Sequence, residues 1–460
     1  MIKGFKNMSL FQRDRYTMRW PKKIIRDSLT VFLLALFIRT IYSIFFVESE
    51  YLSTEDQAHY IQLANFFSTT GFLGVDTSRM PGYPLFISSI YTVFGESLWN
   101  VISIQILLDS ASCVVIALMA KSLFGKGFWI AGVLSVINLN MIILSASLLT
   151  DTLFLFLFIL FIFSLLQYLQ NERTSWLILL VLFISLATLV RPSSYYLLPI
   201  LLIGLVVWRL WHRDTILKIG KLVILYLVII GVLLGGIHQR NYQQYGSTAL
   251  VSQTGTHLLG WIVPATYQYS GQGSYQEGQQ LARGKLASAL QRDQLEELSN
   301  PFESSSYLAN VGKDVLFELG FINILKAWTV GSVINLLAPS VAFSPALRAM
   351  EHPSFYETEG NGIIEKLFNY IKNSSGFLYL SILAVGTIIS VIFTMLALVG
   401  VFKMISALPP ITVTTLLLLV GYFFAITGPI IGVKYRLPIE PILTLFATYF
   451  LNRIDRKKTH

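Results

Sequence analysis

Apolar residues in this chain come in long runs separated by short polar joints. Ten of the runs approach or reach the length needed to cross a bilayer: 29–47, 99–123, 128–147, 152–169, 176–190, 195–211, 219–237, 377–402, 411–427 and 438–451. A membrane core takes about 20 helical residues to span, and every backbone amide in lipid must find its partner within its own segment, so each run is predicted as a helix. The run 85–94 is too short to cross and is predicted to lie in the interface, leading into the second span. The run 315–341 fits a re-entrant or interfacial element, or two half-spans, because one more crossing would reverse the basic C-terminal tail. The polar stretch 242–313, rich in Gln, Ser and Gly, reads as a large loop with a helical piece around 277–298. The predicted fold is all-α: a polytopic membrane protein of about 10–12 transmembrane helices whose first outer loop carries an interfacial helix. Its expected segments are a basic leader (1–28), a transmembrane module (29–237) with a first loop at 48–98, a large loop (238–375), C-terminal spans (376–452) and a basic tail (453–460).

Composition agrees and narrows the class. The chain is 54% hydrophobic and 13% charged, with mean hydropathy +0.63, beyond what a soluble domain of this length can solvate. A net charge of +9 could point to nucleic acid, but much of the basic excess sits in the leader, the tail and short joints. That is the distribution of topology signals and lipid-headgroup contacts. The basic joints alternate between the two ends of successive spans. This predicts a cytoplasmic leader and tail, with residues 48–98, Asp151, Arg191, 238–375 and Lys434–Arg436 on the opposite, extracytoplasmic face. The one cysteine, Cys113, lies inside an apolar run, so no intramolecular disulfide exists. The run 29–47 has spanning length and no small-residue cleavage site, so it is predicted to be retained as a signal anchor.

The polar residues able to do chemistry gather at the joints of that extracytoplasmic face. After the first span come Glu55 and Asp56, then Tyr60 and Ala64 at helical spacing from Asp56, then Arg79-Met80-Pro81-Gly82-Tyr83-Pro84. Asp56 is predicted to head a short helix, where the helix dipole favours its ionised form. Arg191-Pro192 follows the fifth span, Arg240-Asn241 follows the seventh, and Lys434-Tyr435-Arg436-Leu437-Pro438 precedes the last. A single basic residue in such a place can simply reach for headgroups; several beside an acid pair point to an anion site, and Arg grips phosphate bidentately. Asp151 is either the N-cap of the fourth span or a contact to an acceptor or metal. Asp109, within the second span, must be neutral or paired, and Arg39 is its expected partner. His59, His238 and His257 are outer-face candidates only, and each taken alone reads as structural. No Cys/His metal spacing, phosphate-binding Gly-rich loop or nucleophile elbow occurs.

The Glu55-Asp56 loop, the Leu-x-Arg-Pro at 189–192 and the Lys434–Pro438 segment resemble those of GT-C superfamily glycosyltransferases, in the branch of the protein mannosyltransferases and lipid A aminoarabinose transferases. The resemblance implies transfer of a sugar, with inversion, from a polyprenyl-phosphate carrier to an acceptor hydroxyl on a protein, lipid or glycan. It carries the role of base onto Asp56, with Glu55 second because relatives often have the pair in the order Asp-Glu. It assigns substrate binding to Tyr60, Arg79, Tyr83, Asp151, Arg191, Arg240, Lys434, Tyr435, Arg436 and Arg39. It implies no organic cofactor and leaves a divalent cation open. One base suffices chemically, since a phosphate leaves without a proton and needs cations instead. The competing reading is a lipid-linked-glycan flippase or a polymerase-like membrane protein. It is disfavoured because the charges gather at the interface and no internal repeat of the transporter type occurs.

Overall fold

The computed structural model describes residues 21–53, 55–70, 76–295, 299–355, 357–360, 362–374 and 376–457. The leader before Pro21, the last three residues of the tail and the side chain of Glu55 lie outside that description. The described chain is helical and contains no strand, as backbone satisfaction in lipid demands. α1 (Lys22–Phe46) leads through a 3-10 turn into α2 (Glu55–Thr70), which packs on α3 (Gly82–Phe94) before α4 (Leu98–Phe124) crosses back. α5 (Phe128–Val136) and α6 (Leu139–Ser145) follow, then α7 (Asp151–Asn171), α8 (Thr174–Val190), α9 (Leu197–Trp211) and α10 (Ile216–Tyr245). A helical cap comes next: α11 (Thr254–His257), a π turn, α12 (Val263–Ser270), α13 (Tyr275–Arg292) and α14 (Pro301–Leu319). α15 (Phe321–Leu337), α16 (Pro345–Arg348) and α17 (Ile363–Asn373) lead to α18 (Phe377–Ile405), α19 (Pro410–Thr427), α20 (Val433–Arg436) and α21 (Glu440–Lys457).

Among the described residues, seven helices are long and apolar enough to cross a membrane, and nine candidate spans result when each of two sharply bent helix pairs counts as one. The fold is therefore all-α and polytopic. α3, at thirteen residues, is too short to cross.

Two sequence expectations need correction. The run 128–147 is not one helix; it breaks at 137–138, and α5 and α6 meet at 52°. The break has identifiable causes. Asn138 accepts the Met141 N–H and caps α6, while Arg39 donates to the Val136 and Ser135 carbonyls at the end of α5. The stretch 242–313 is also far more ordered than a loop. Ser274 and Glu277 form a reciprocal capping box that starts α13, and Asn300 caps α14. α14 ends at Gly320, whose φ of +87° suits glycine, and α15 leaves at 102°.

The core forms where α4, α7, α8 and α21 pack together, around Phe154, Phe158, Phe161 and Phe446. α18 and α21 approach so closely that a Cβ on Gly400 would stand 1.9 Å from the Phe446 carbonyl oxygen, so only glycine fits there. This central packing fixes the helix ends on which the polar joints sit.

Candidate active site

Asp56 lies in the first turn of α2, as its spacing predicts, and its carboxylate accepts a hydrogen bond from Arg79 at 2.9 Å. Both side chains remain partly exposed. One helical turn on, the Tyr60 ring faces the Arg79 guanidinium at 5.9 Å and meets Tyr83 edge-on at 5.1 Å. Burial pushes the Tyr60 phenol up to about 12; Arg79 and Arg191 pull it down, and Asp56 and Asp151 push it up. Tyr60 thus senses two acid–arginine pairs at once. The second pair is Asp151 with Arg191, in direct contact. Thr150 precedes the helix and makes no side-chain cap, so Asp151 is not an N-cap; it spends its carboxylate on Arg191. The Arg191 guanidinium also sits 5.6 Å from the centre of the Phe154 ring, and Tyr435 lies within its electrostatic reach.

Lys434 and Tyr435 belong to this region as well. Lys434 Nζ stands 5.7 Å from the Tyr435 ring, and among the described residues no carboxylate pairs with it. His257, at the end of α11, is the residue that sequence reasoning passed over. Its imidazole is lowered from its ordinary value by burial and then by Arg79, Lys434 and Arg191, with Asp56 opposing. The cap therefore brings a neutral-leaning imidazole over the same charges. No signal in the sequence distinguished it from His59, which pairs instead with Asp76 at 2.8 Å, or from His238, which bonds the Thr248 carbonyl.

Beneath the charges a set of buried amides holds the backbone. Gln57, next to Asp56, donates to the Tyr51 carbonyl and accepts the Leu148 N–H, both at 2.8 Å. Gln105 donates to the carbonyls of Ser145 and Ser147 at 3.1 and 2.8 Å, and accepts the Tyr83 hydroxyl at 2.6 Å. Both glutamines thus grip the turn between α6 and α7, whose continuation is Asp151. Tyr83 is fully buried, so it supports Tyr60 and lines no open surface.

Three predicted binding residues are engaged with other partners. Arg39 is fully buried between α1, α4 and α5, paired with Asp109 as expected, and its remaining donors go to the Cys113 sulfur and to backbone carbonyls. Its position by sequence, near the end of a span, suggested reach; the ion pair with Asp109 draws it inward instead. Arg436 donates to Glu440 at 2.6 Å and to the Leu336 carbonyl at 2.8 Å. Glu440 is itself fully buried and also accepts from Asn138 and Asn140, so this network ties α20 and α21 to α6 and α15. Arg240 bonds Asn241 and lies near Asp76, on the extension of α10. Among the described residues, no group of three or more His, Cys, Asp and Glu side chains could hold a metal ion.

Residues 78–234 match the family model described as dolichyl-phosphate-mannose-protein mannosyltransferase. That stretch holds Arg79, Asp151 and Arg191, and excludes Asp56 and Lys434. No curated protein matches the chain. Among solved structures, the chain is similar to the archaeal oligosaccharyltransferase AglB from Archaeoglobus fulgidus, in complex with an inhibitory peptide and a dolichol-phosphate. The TM-score is 0.52 at 13% identity, over 95% of this chain and 51% of that one, so the chain spans about half the neighbour's length. ArnT from Cupriavidus metallidurans, bound to undecaprenyl phosphate, aligns with TM-score 0.37 and 13% identity over 94% and 76% of the two chains. The matched segment is similar to that mannosyltransferase family, and the likeness to AglB is one of fold, a polytopic bundle of helices.

Proposed function

We propose that the protein transfers a sugar from a polyprenyl-phosphate carrier to an acceptor hydroxyl, with inversion at the anomeric carbon, on the extracytoplasmic face. The observation that carries this reading is the gathering of two acid–arginine pairs and Lys434 around Tyr60 and His257. A neutral acceptor alone would not call for so many cations; a phosphate does. The fold neighbour whose complex contains a dolichol-phosphate supports the donor class. The alternation of basic joints along the sequence supports the face.

In this reading Asp56 takes the proton from the acceptor hydroxyl, and the oxygen attacks the anomeric carbon. The bond from that carbon to the phosphate oxygen breaks, and the phosphate leaves with the electron pair. Arg191 and Lys434 hold its growing charge, an interaction stronger in the transition state than in the ground state. Arg79 has a further part. At rest it neutralises Asp56, so a base would be poorly available. A donor phosphate competes for the same guanidinium and would free the carboxylate when the donor is in place. Asp56 returns its proton to water after the product departs.

The experiment is transfer of labelled sugar from a polyprenyl-phosphate donor by purified protein in nanodiscs. Asp56→Asn keeps the shape and loses the basicity, so turnover should fall by about 10²–10⁴ with carrier binding retained. Near-normal turnover in that variant would move the base to Glu55 or Asp151.

A further inference from the structure

α17 is eleven residues long, about 16 Å, too short to cross a bilayer. Its two faces could hardly differ more. Ile364, Leu367, Phe368 and Ile371 recur at helical spacing and are 83%, 44%, 67% and 57% exposed. On the opposite side Lys366 is fully buried, and Tyr370 nearly so. A contiguous apolar stripe of this kind is covered by something, because water solvates it poorly.

What covers it follows from the neighbouring helix. Only three residues separate α17 from α18, a candidate span whose exposed stripe begins at Phe377 and Leu378 and continues through Val385, Ile388 and Ile392. That stripe faces lipid. The buried sides of the two helices are joined by the hydrogen bond between Tyr370 and Tyr379, with Phe355 packed against one ring and His352 stacked on the other. Their exposed sides therefore turn outward together, at the level where α18 enters the membrane. We infer that α17 is an in-plane anchor whose apolar face docks into the bilayer leaflet on the side of the active site. Glu365 and Lys372, on the flank of the stripe, stand where headgroups and water meet the helix.

The anchor also has a handle on the cap. Lys366 donates to the Gln268 side chain of α12 at 2.9 Å and lies 4.9 Å from the Phe355 ring. α12 runs back through the π turn to α11 and His257. The membrane surface would thereby set the height at which the cap is held.

The test is nitroxide labelling of the full chain in lipid nanodiscs. Ile364→Cys, Phe368→Cys and Ile371→Cys are made one at a time in a Cys113→Ser background, with Glu365→Cys as the polar flank and Leu378→Cys as the lipid reference. Accessibility to molecular oxygen and to a neutral nickel chelate is read for each. The expected result is an oxygen-to-nickel ratio at 364, 368 and 371 that matches position 378 and exceeds position 365 several-fold. A ratio favouring nickel at all three positions would mean the face is in water. Low accessibility to both reagents would mean a protein surface, such as a second copy, covers it. Either result overturns the inference. Using three separate positions protects the outcome against one variant that misfolds.

Discussion

Arg39 and Asp109 offer the sharpest test of how far the site extends. The pair is fully buried among the helices α1, α4 and α5, and Arg39 also supplies N–H donors to the Val136 and Ser135 carbonyls where α5 breaks. Asp109→Leu strands the guanidinium, and Arg39→Met strands the carboxylate. Losing one partner of a buried pair costs about 3–5 kcal/mol. The double variant Arg39→Met/Asp109→Leu removes both charges, and with them an insertion cost of about 2.5–3.5 kcal/mol each on translocon scales. What it fails to replace are the donors to the Val136 and Ser135 carbonyls; Ser135 still accepts the Asn138 N–H, so the loss is about 1–3 kcal/mol, mainly at Val136. The double variant is therefore expected to be only about 1–3 kcal/mol less stable than the wild type and better folded than either single. The assay is unfolding of the four proteins in mixed micelles, alongside sugar transfer in nanodiscs. If the pair is structural, the folded double variant transfers sugar at near the wild-type rate. A folded double variant without transfer would return Arg39 to the donor site. A double variant as unstable as the singles would show that the two residues do not stabilise as a pair.

Other expectations follow from the same contacts. Gln57→Leu loses both buried hydrogen bonds and leaves the Leu148 N–H without a partner, costing about 2–4 kcal/mol; in protein still folded, kcat should fall more than KM rises, because Asp56 and Asp151 lose their relative placement, and equal kinetics would rule out that role. Arg191→Lys keeps the charge but loses the planar fork and should lower kcat/KM for the donor, whereas Arg436→Lys should show up first as lowered stability in unfolding curves, since Arg436 faces Glu440. Burial holds the Lys366 ammonium down to about 8. Its folded value lies below the unfolded one, so this residue penalises stability fully below pH 8, by roughly 3 kcal/mol, and the penalty fades as pH rises toward 10. Lys366→Met should therefore raise the thermal midpoint at pH 7, by an amount that shrinks across pH 8–10; a pH-independent difference would contradict this.

The sequence made the membrane class, the order of spans and the joints that carry charge readable, because each is written locally. Hydropathy marks a span and a Lys/Arg bias marks its ends. The helical spacing of Asp56 and Tyr60 and the partnership of Arg39 with Asp109 were legible for the same reason: a helix start, or a charge in lipid, leaves few alternatives. What escaped reading depends on long-range packing. Asn138 caps a helix at a break where Arg39, a hundred residues earlier, takes the carbonyls of α5 and Glu440, three hundred residues later, takes its amide. His257 reaches the charges because the cap folds into helices, and the sequence around it carries no strong periodicity. Gln57 and Gln105 look like any polar residue until the turn at 145–148 closes on them.

The resting site is close to electrically balanced in its two pairs, and that balance bears on order of binding. Asp56–Arg79 and Asp151–Arg191 each cancel a charge, and among the described residues Lys434 adds a cation with no carboxylate partner. Under the proposed mechanism a donor phosphate arriving first would meet Lys434 and compete for Arg79, which is shared with a partly exposed acid. The second pair is harder to open: Asp151 is almost completely buried and would be left as a bare charge without Arg191. Arg79 is thus the cation most readily released, and under the proposed mechanism its release would expose the base. An acceptor arriving first would meet a carboxylate already occupied. Donor-first binding follows from this asymmetry, and carrier phosphate without sugar should inhibit competitively against the donor. Arg79→Ala would leave Asp56 free at rest; carrier affinity should then fall while acceptor binding no longer depends on the donor. If acceptor binding still requires donor in that variant, the coupling runs through the cap and His257, and Arg79 is only one of several phosphate ligands.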